Sequence, residues 1–221
     1  MTVFLLVIAG WVFSVCLHEY GHAAVAYHGG DYTVKEKGYL TLNPVHYTHP
    51  VYSLVLPVVF LLLGGIGLPG GAVYINDHLL RSKQWRTGVS IAGPLMNVLL
   101  TLVLCAPFWL GLLNNERAQL LACALAFLIQ LQISAVLFNL LPVPPLDGFQ
   151  AISPWLPSHI TDKLMAQAST LTFLLFIILW SAPGASHAFW SVVQGVSTFL
   201  GISPDLASEG WTRFQFWKSR L

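Results

Sequence analysis

The run His18-Glu19-Tyr20-Gly21-His22 places two imidazoles four residues apart, with a carboxylate beside the first. On a helix, positions four apart stack on one face. Both rings can then reach one ion at the roughly 2.0–2.1 Å of a zinc–nitrogen bond. Glu19 would stand beside a water on that ion, a water whose pKa zinc lowers towards about 7. A carboxylate so placed can take the water's proton as its oxygen attacks a carbonyl, then hand the proton to the leaving amine. The same spacing arises by accident on water-facing helices. Here it sits inside an apolar run that starts at Val3, where ionisable side chains are costly and are mostly functional.

A catalytic zinc has three protein ligands and an open position, so one ligand is missing from this pair. The run Asn139-Leu140-Leu141-Pro142-Val143-Pro144-Pro145-Leu146-Asp147-Gly148 closes a later apolar stretch and carries an acid, Asp147. Taken alone, Asp147 reads as a turn residue in a proline-rich loop at the membrane surface. Beside the histidine pair it reads as the third ligand, because a metal would satisfy a carboxylate in so apolar a setting.

These residues must be positioned by membrane helices. Of the 221 residues, 56% are hydrophobic and 9% charged, against about 25% charged in soluble domains. Apolar runs near the roughly 20 residues that cross a bilayer recur along the chain. The expected fold class is an all-α polytopic membrane protein with five to six hydrophobic segments and a small re-entrant β or loop element. A single membrane-embedded domain is expected over residues 1–203, followed by a short basic tail over 204–221. The stretches are Val3–Tyr27, Val51–Gly67, Val89–Leu113, Ala118–Leu141 and Leu171–Leu200, the last broken at Ser181–Gly184 into two shorter helices. The glycines of Gly64–Asn76 suggest the re-entrant element, since irregular backbone at membrane depth must line protein or a cavity.

The net charge of +1 and the lack of a basic stripe exclude nucleic acid as a partner. Cys16, Cys105 and Cys123 lie in apolar stretches without knuckle spacing and read as small buried hydrophobes. The N-terminal run lacks a basic n-region and reads as a retained span. Lys35 and Lys37, then Arg81, Lys83 and Arg86, then Arg213, Lys218 and Arg220, would all be cytoplasmic by the positive-inside tendency. That requires Val51–Gly67 to enter and leave on one side. The metal site requires the same parity, because only then do His22 and Asp147 reach one depth.

His-Glu-x-x-His in the first span, followed by Asn139-x-x-Pro142 and Asp147-Gly148, resembles the site-2 protease family of intramembrane metalloproteases. Gly93-Pro94-Leu95-Met96-Asn97 is similar to that family's small-residue helix motif, and Leu42-Asn43-Pro44 resembles its short members without PDZ or CBS domains. The loop departs from those members in carrying both His46 and His49, which read as interfacial histidines or, alternatively, as residues that support or gate the site. The resemblance implies one Zn2+ per chain on His18, His22 and Asp147, Glu19 as general base, and Asn139 as a polar group near the reacting carbonyl. For an arbitrary membrane asparagine, a helix–helix hydrogen bond is an equal alternative. The resemblance further implies that Gly64–Tyr74 offers a β-edge to an extended substrate. The expected substrate is a transmembrane protein or peptide, met within the lipid bilayer by a multi-pass protein of a prokaryotic plasma membrane whose site faces the cytoplasm. Oligomeric state is not legible. The competing reading is a non-hydrolytic metal-binding membrane protein or transporter, including an inactive protease-like scaffold, against which the presence of Glu19 weighs. A histidine-box iron oxidase would need more histidine pairs than the chain has.

Overall fold

The N-terminal apolar run contains no proline before Gly30 and forms one continuous helix, α1 (Thr2–Gly29), of 28 residues. At 1.5 Å per residue it is about 42 Å long, more than the roughly 30 Å of bilayer hydrocarbon. It stops at Gly30, whose φ of 118° is left-handed and turns its N–H back onto the carbonyls of Ala26 and Tyr27. The computed structural model describes residues 1–43 and 73–218, and no strand occurs among them. After a short α2 (Thr33–Glu36) come two long helices, α3 (Lys83–Trp109) and α4 (Gln119–Asn139). Ser82 caps α3 by accepting the Trp85 N–H. The chain continues through α5 (Asp147–Ile152), α6 (Ser158–Ala166), α7 (Ala168–Ser181), α8 (Pro183–Phe199) and α9 (Pro204–Phe214).

Helix α1 runs antiparallel to α3 and parallel to α4. His18 meets Asn97, His22 meets Val89, and Gly29 meets Arg81, a register that steps down α3 as it climbs α1. Val3, Val7, Trp11 and Val15 share a core with Ala124, Phe127, Leu128, Leu131 and Ala135 of α4. Small residues make the close crossings, as membrane helices require where packing rather than water exclusion drives association. A Cβ on Gly21 would lie 2.9 Å from the Ala92 carbonyl oxygen. Large apolar side chains remain exposed elsewhere, among them Leu99 and Val103 on α3 and Phe173 and Ile178 on α7. Such continuous apolar exposure suits lipid rather than water.

Three helices are long and apolar enough to cross a bilayer, ending at Gly29, Trp109 and Asn139, and the bent pair α6–α7 makes a fourth if it is one span. The described residues therefore carry three to four spans, short of the five to six expected. The stretch Val51–Gly67 and most of Gly64–Asn76 lie outside the described residues. Val73–Asn76 form neither helix nor strand, and Asn76 is extended, with φ of -93° and ψ of 95°. The Arg81 N–H donates to the Gly29 carbonyl at 3.0 Å, so the end of α1 and the start of α3 lie together. The break expected at Ser181–Gly184 falls at Ala182.

One expectation is corrected. The positive-inside tendency puts the C-terminal basic residues with Lys35 and Arg81, but α9 packs at the opposite end of the bundle. Phe214 sits 5.2 Å from Phe4 near the start of α1, and Gln119 at the start of α4 donates to Glu209 at 3.2 Å. The Trp109 indole donates to the Leu200 carbonyl at 2.8 Å, which brings the end of α8 to the same level. Aromatic burial overrides the charge tendency here: Phe214 and Ala207 are fully buried, and Arg213 is neutralised by Glu209 at 2.6 Å.

Candidate metal centre

His18 and His22 stand one turn apart on the inward face of α1, each about 5% exposed. They lie 11 and 7 residues before Gly29, roughly 10–16 Å in from that end of the helix. Asp147 arrives from the far end of the sequence as the first residue of α5. The proline-rich turn that ends α4 delivers it, and Thr172 of α7 pins this turn by donating to the Pro144 carbonyl at 2.9 Å. Gly148 is required at the next position. A Cβ there would lie 2.7 Å from the Leu141 carbonyl oxygen and closer still to that of Leu140.

The two Nε2 atoms are 3.0 Å apart. His18 Nε2 is 3.2 Å from Asp147 Oδ2, and His22 Nε2 is 3.4 Å from Asp147 Oδ1. Bonds of about 2.05 Å to a tetrahedral zinc put neighbouring ligand atoms about 3.3 Å apart, so the spacings fit. The chemistry of the donor set fits as well. His22 Nδ1 lies 2.7 Å from the Val89 carbonyl, an acceptor, so Nδ1 carries the hydrogen and the neutral ring presents a lone pair at Nε2. His18 Nδ1 lies 3.1 Å from Asn97 Oδ1 and follows the same logic. Two lone pairs and a carboxylate thus converge without a donor between them, and the buried Asp147 Oδ2 has no hydrogen-bond partner. A cation satisfies all three. Among the described residues this trio is the one group of histidine, cysteine or acid side chains with such spacing.

Glu19, 4% exposed, lines the same cavity of about 520 Å³ as the trio, and its Oε2 accepts the Val73 N–H at 3.1 Å. Asn139, the last residue of α4, is buried and also faces this cavity. The structure brings together all five residues singled out in the sequence. His28, His78, His159 and His187 stay apart from them, while His46 and His49 lie outside the described residues.

Four contributors were not assigned to the site from sequence. Asn97 and the Val89 carbonyl hold the two rings, and Gln132 holds Asn97, accepting its Nδ2–H at 3.1 Å. Gly93 makes room, because a Cβ there would lie 2.6 Å from His18 Nε2 and nearer to His22 Nε2. Gly93 and Asn97 are legible in the sequence only as a small-residue helix face, and Gln132, two residues after Gln130, carries no signal of its own.

The sequence is 42% identical to a Mycolicibacterium smegmatis protein provisionally named zinc metalloprotease Rip2, over 220 residues that make up 98% of this chain and 82% of that protein. The Mycobacterium tuberculosis protein of the same name is 42% identical over 215 residues, 97% of this chain and 82% of its own length. YwhC of Bacillus subtilis, also provisionally named a zinc metalloprotease, is 33% identical over 191 residues, 83% of each chain. No family model and no solved structure matches the chain. A metal-competent trio built from His-Glu-x-x-His and a distant Asp-Gly, together with this near full-length identity, establishes that the chain belongs to the site-2 protease family of zinc metalloproteases.

Proposed function

We propose that the protein is an intramembrane zinc endopeptidase that hydrolyses a peptide bond within or next to a transmembrane segment of a membrane-protein substrate. The observation that carries this reading is the convergence of His18, His22 and Asp147, with Glu19 in the same cavity, well inside a membrane-length helix. The three residues would hold one Zn2+ per chain. When bound, that ion supplies polarisation of a carbonyl and acidification of a water.

The chain's own groups do the rest. The Val73 N–H fixes the Glu19 carboxylate through Oε2, which leaves Oε1 to accept the proton of the attacking water and deliver it to the leaving amine. The Asn139 amide is the side-chain donor suited to the oxygen on which negative charge develops. A helical substrate hides its carbonyls in its own hydrogen bonds and must unwind before attack. The Val73–Asn76 segment, which is neither helix nor strand and is anchored where the Asn76 N–H donates to buried Asp31 at 2.7 Å, offers backbone for pairing with such a segment. Lys35, Lys37, Arg81, Lys83 and Arg86 flank the site end of the bundle, which favours a cytoplasmic orientation for it.

Glu19→Gln keeps the shape and removes the base. The expected result is a fall in cleavage of a single-span substrate by at least about 10²-fold, with zinc still bound. Cleavage at the wild-type rate would remove Glu19 from the mechanism.

A further inference from the structure

We propose that Asn97 and Gln132 are positioning residues that fix the tautomer of His18 for metal binding, an inference that rests on the metal-centre reading above. The three side chains come from three helices, α1, α3 and α4, and are 5%, 4% and 0% exposed. His18 Nδ1 faces Asn97 Oδ1 at 3.1 Å, and Asn97 Nδ2 donates to Gln132 Oε1 at 3.1 Å.

A primary amide has an acceptor end and a donor end, so this chain has a direction. With Asn97 Oδ1 against the ring, Nδ1 carries the hydrogen and the lone pair lies on Nε2, the atom that faces His22 and Asp147. Reversing Asn97 would present Nδ2 to the ring. It would demand a lone pair at Nδ1 and a hydrogen on Nε2, the form that cannot ligate there. Gln132 opposes turning Asn97 over by itself, because Asn97 Oδ1 would then face Gln132 Oε1, two acceptors with no hydrogen between them.

The network is a poor device for stability. Gln132 Nε2 is buried without a hydrogen-bond partner, and an unmet polar group costs about 1–3 kcal/mol. An apolar trio of the same shape would hold the helices together without that cost. The two ligands also differ. His22 is oriented by a backbone carbonyl, Val89, which can only accept. His18 alone depends on side chains that could be reversed, and the amide pair sits behind it.

The test compares purified wild type with Asn97→Leu, Asn97→Asp and Gln132→Met. It measures zinc affinity by chelator competition, the visible spectrum of the cobalt-loaded protein, and thermal unfolding. Asn97→Leu should lose about 10- to 100-fold in zinc affinity. Asn97→Asp, which can only accept from Nδ1–H, should restore affinity and the wild-type cobalt spectrum. Gln132→Met, nearly isosteric, should shift affinity in the direction of Asn97→Leu by a smaller amount and remains informative if the leucine variant fails to fold. Wild-type affinity in folded Asn97→Leu and Gln132→Met, with only unfolding temperature changed, would overturn the positioning role and leave the metal centre standing. A wild type that binds no more zinc or cobalt than His22→Ala would overturn the metal-centre reading and this inference with it.

Discussion

At the scale of single residues, the site depends on one position that contributes no chemistry. Gly93 lets α3 approach both rings, and a methyl there would lie 2.6 Å from His18 Nε2. Gly93→Ala is expected to remain helical by circular dichroism while its zinc content falls well below one per chain; normal zinc content would show that the rings can shift aside. The histidine pair and Glu19 were legible in the sequence because helical spacing alone stacks them. Asp147 was legible only in combination, since a Pro-Pro-Leu-Asp-Gly turn is ordinary by itself. The roles of Asn97 and Gln132 were not legible, because the register between α1, α3 and α4 is set by packing across helices and not by spacing within any one of them.

At the scale of elements, the long helices were readable from apolar run length, and Ser181–Gly184 marked the break between α7 and α8. Within the short basic tail expected over 204–221, residues 204–214 form α9 against α1 and α4. What hid this was that α9 is amphipathic, with charge and burial mixed over a short span. Phe214 is fully buried among Phe4, Phe127, Trp211 and Trp217, with ring centroids 5.2–5.9 Å away. Phe214→Ala is expected to cost about 3–5 kcal/mol of stability, read as a lower unfolding temperature in detergent, with zinc content unchanged because α9 packs at the end of the bundle away from the metal site. Loss of zinc along with stability would show that α9 supports the centre directly.

At the scale of the whole molecule, charge counting puts Lys37 and Lys218 on one side of the membrane, whereas packing puts them at opposite ends of the bundle. Lys37 lies beyond the site end of α1, whereas Lys218 follows α9 near Phe4. The native cysteines, Cys16, Cys105 and Cys123, are all buried, so single cysteines at 37 and 218 can be labelled against a low background. A membrane-impermeant maleimide should reach one of them in intact cells and the other only after permeabilisation; equal labelling would refute this topology. Parity of the spans is also what carries Asp147 to the depth of His22, and the union of these distant motifs into one centre is the central claim. Zinc content and single-span substrate cleavage, measured together on detergent-purified wild type and Asp147→Ala, test it most directly. The account predicts about one zinc per chain in wild type and loss of both zinc and cleavage in Asp147→Ala. Full zinc occupancy in Asp147→Ala would contradict it.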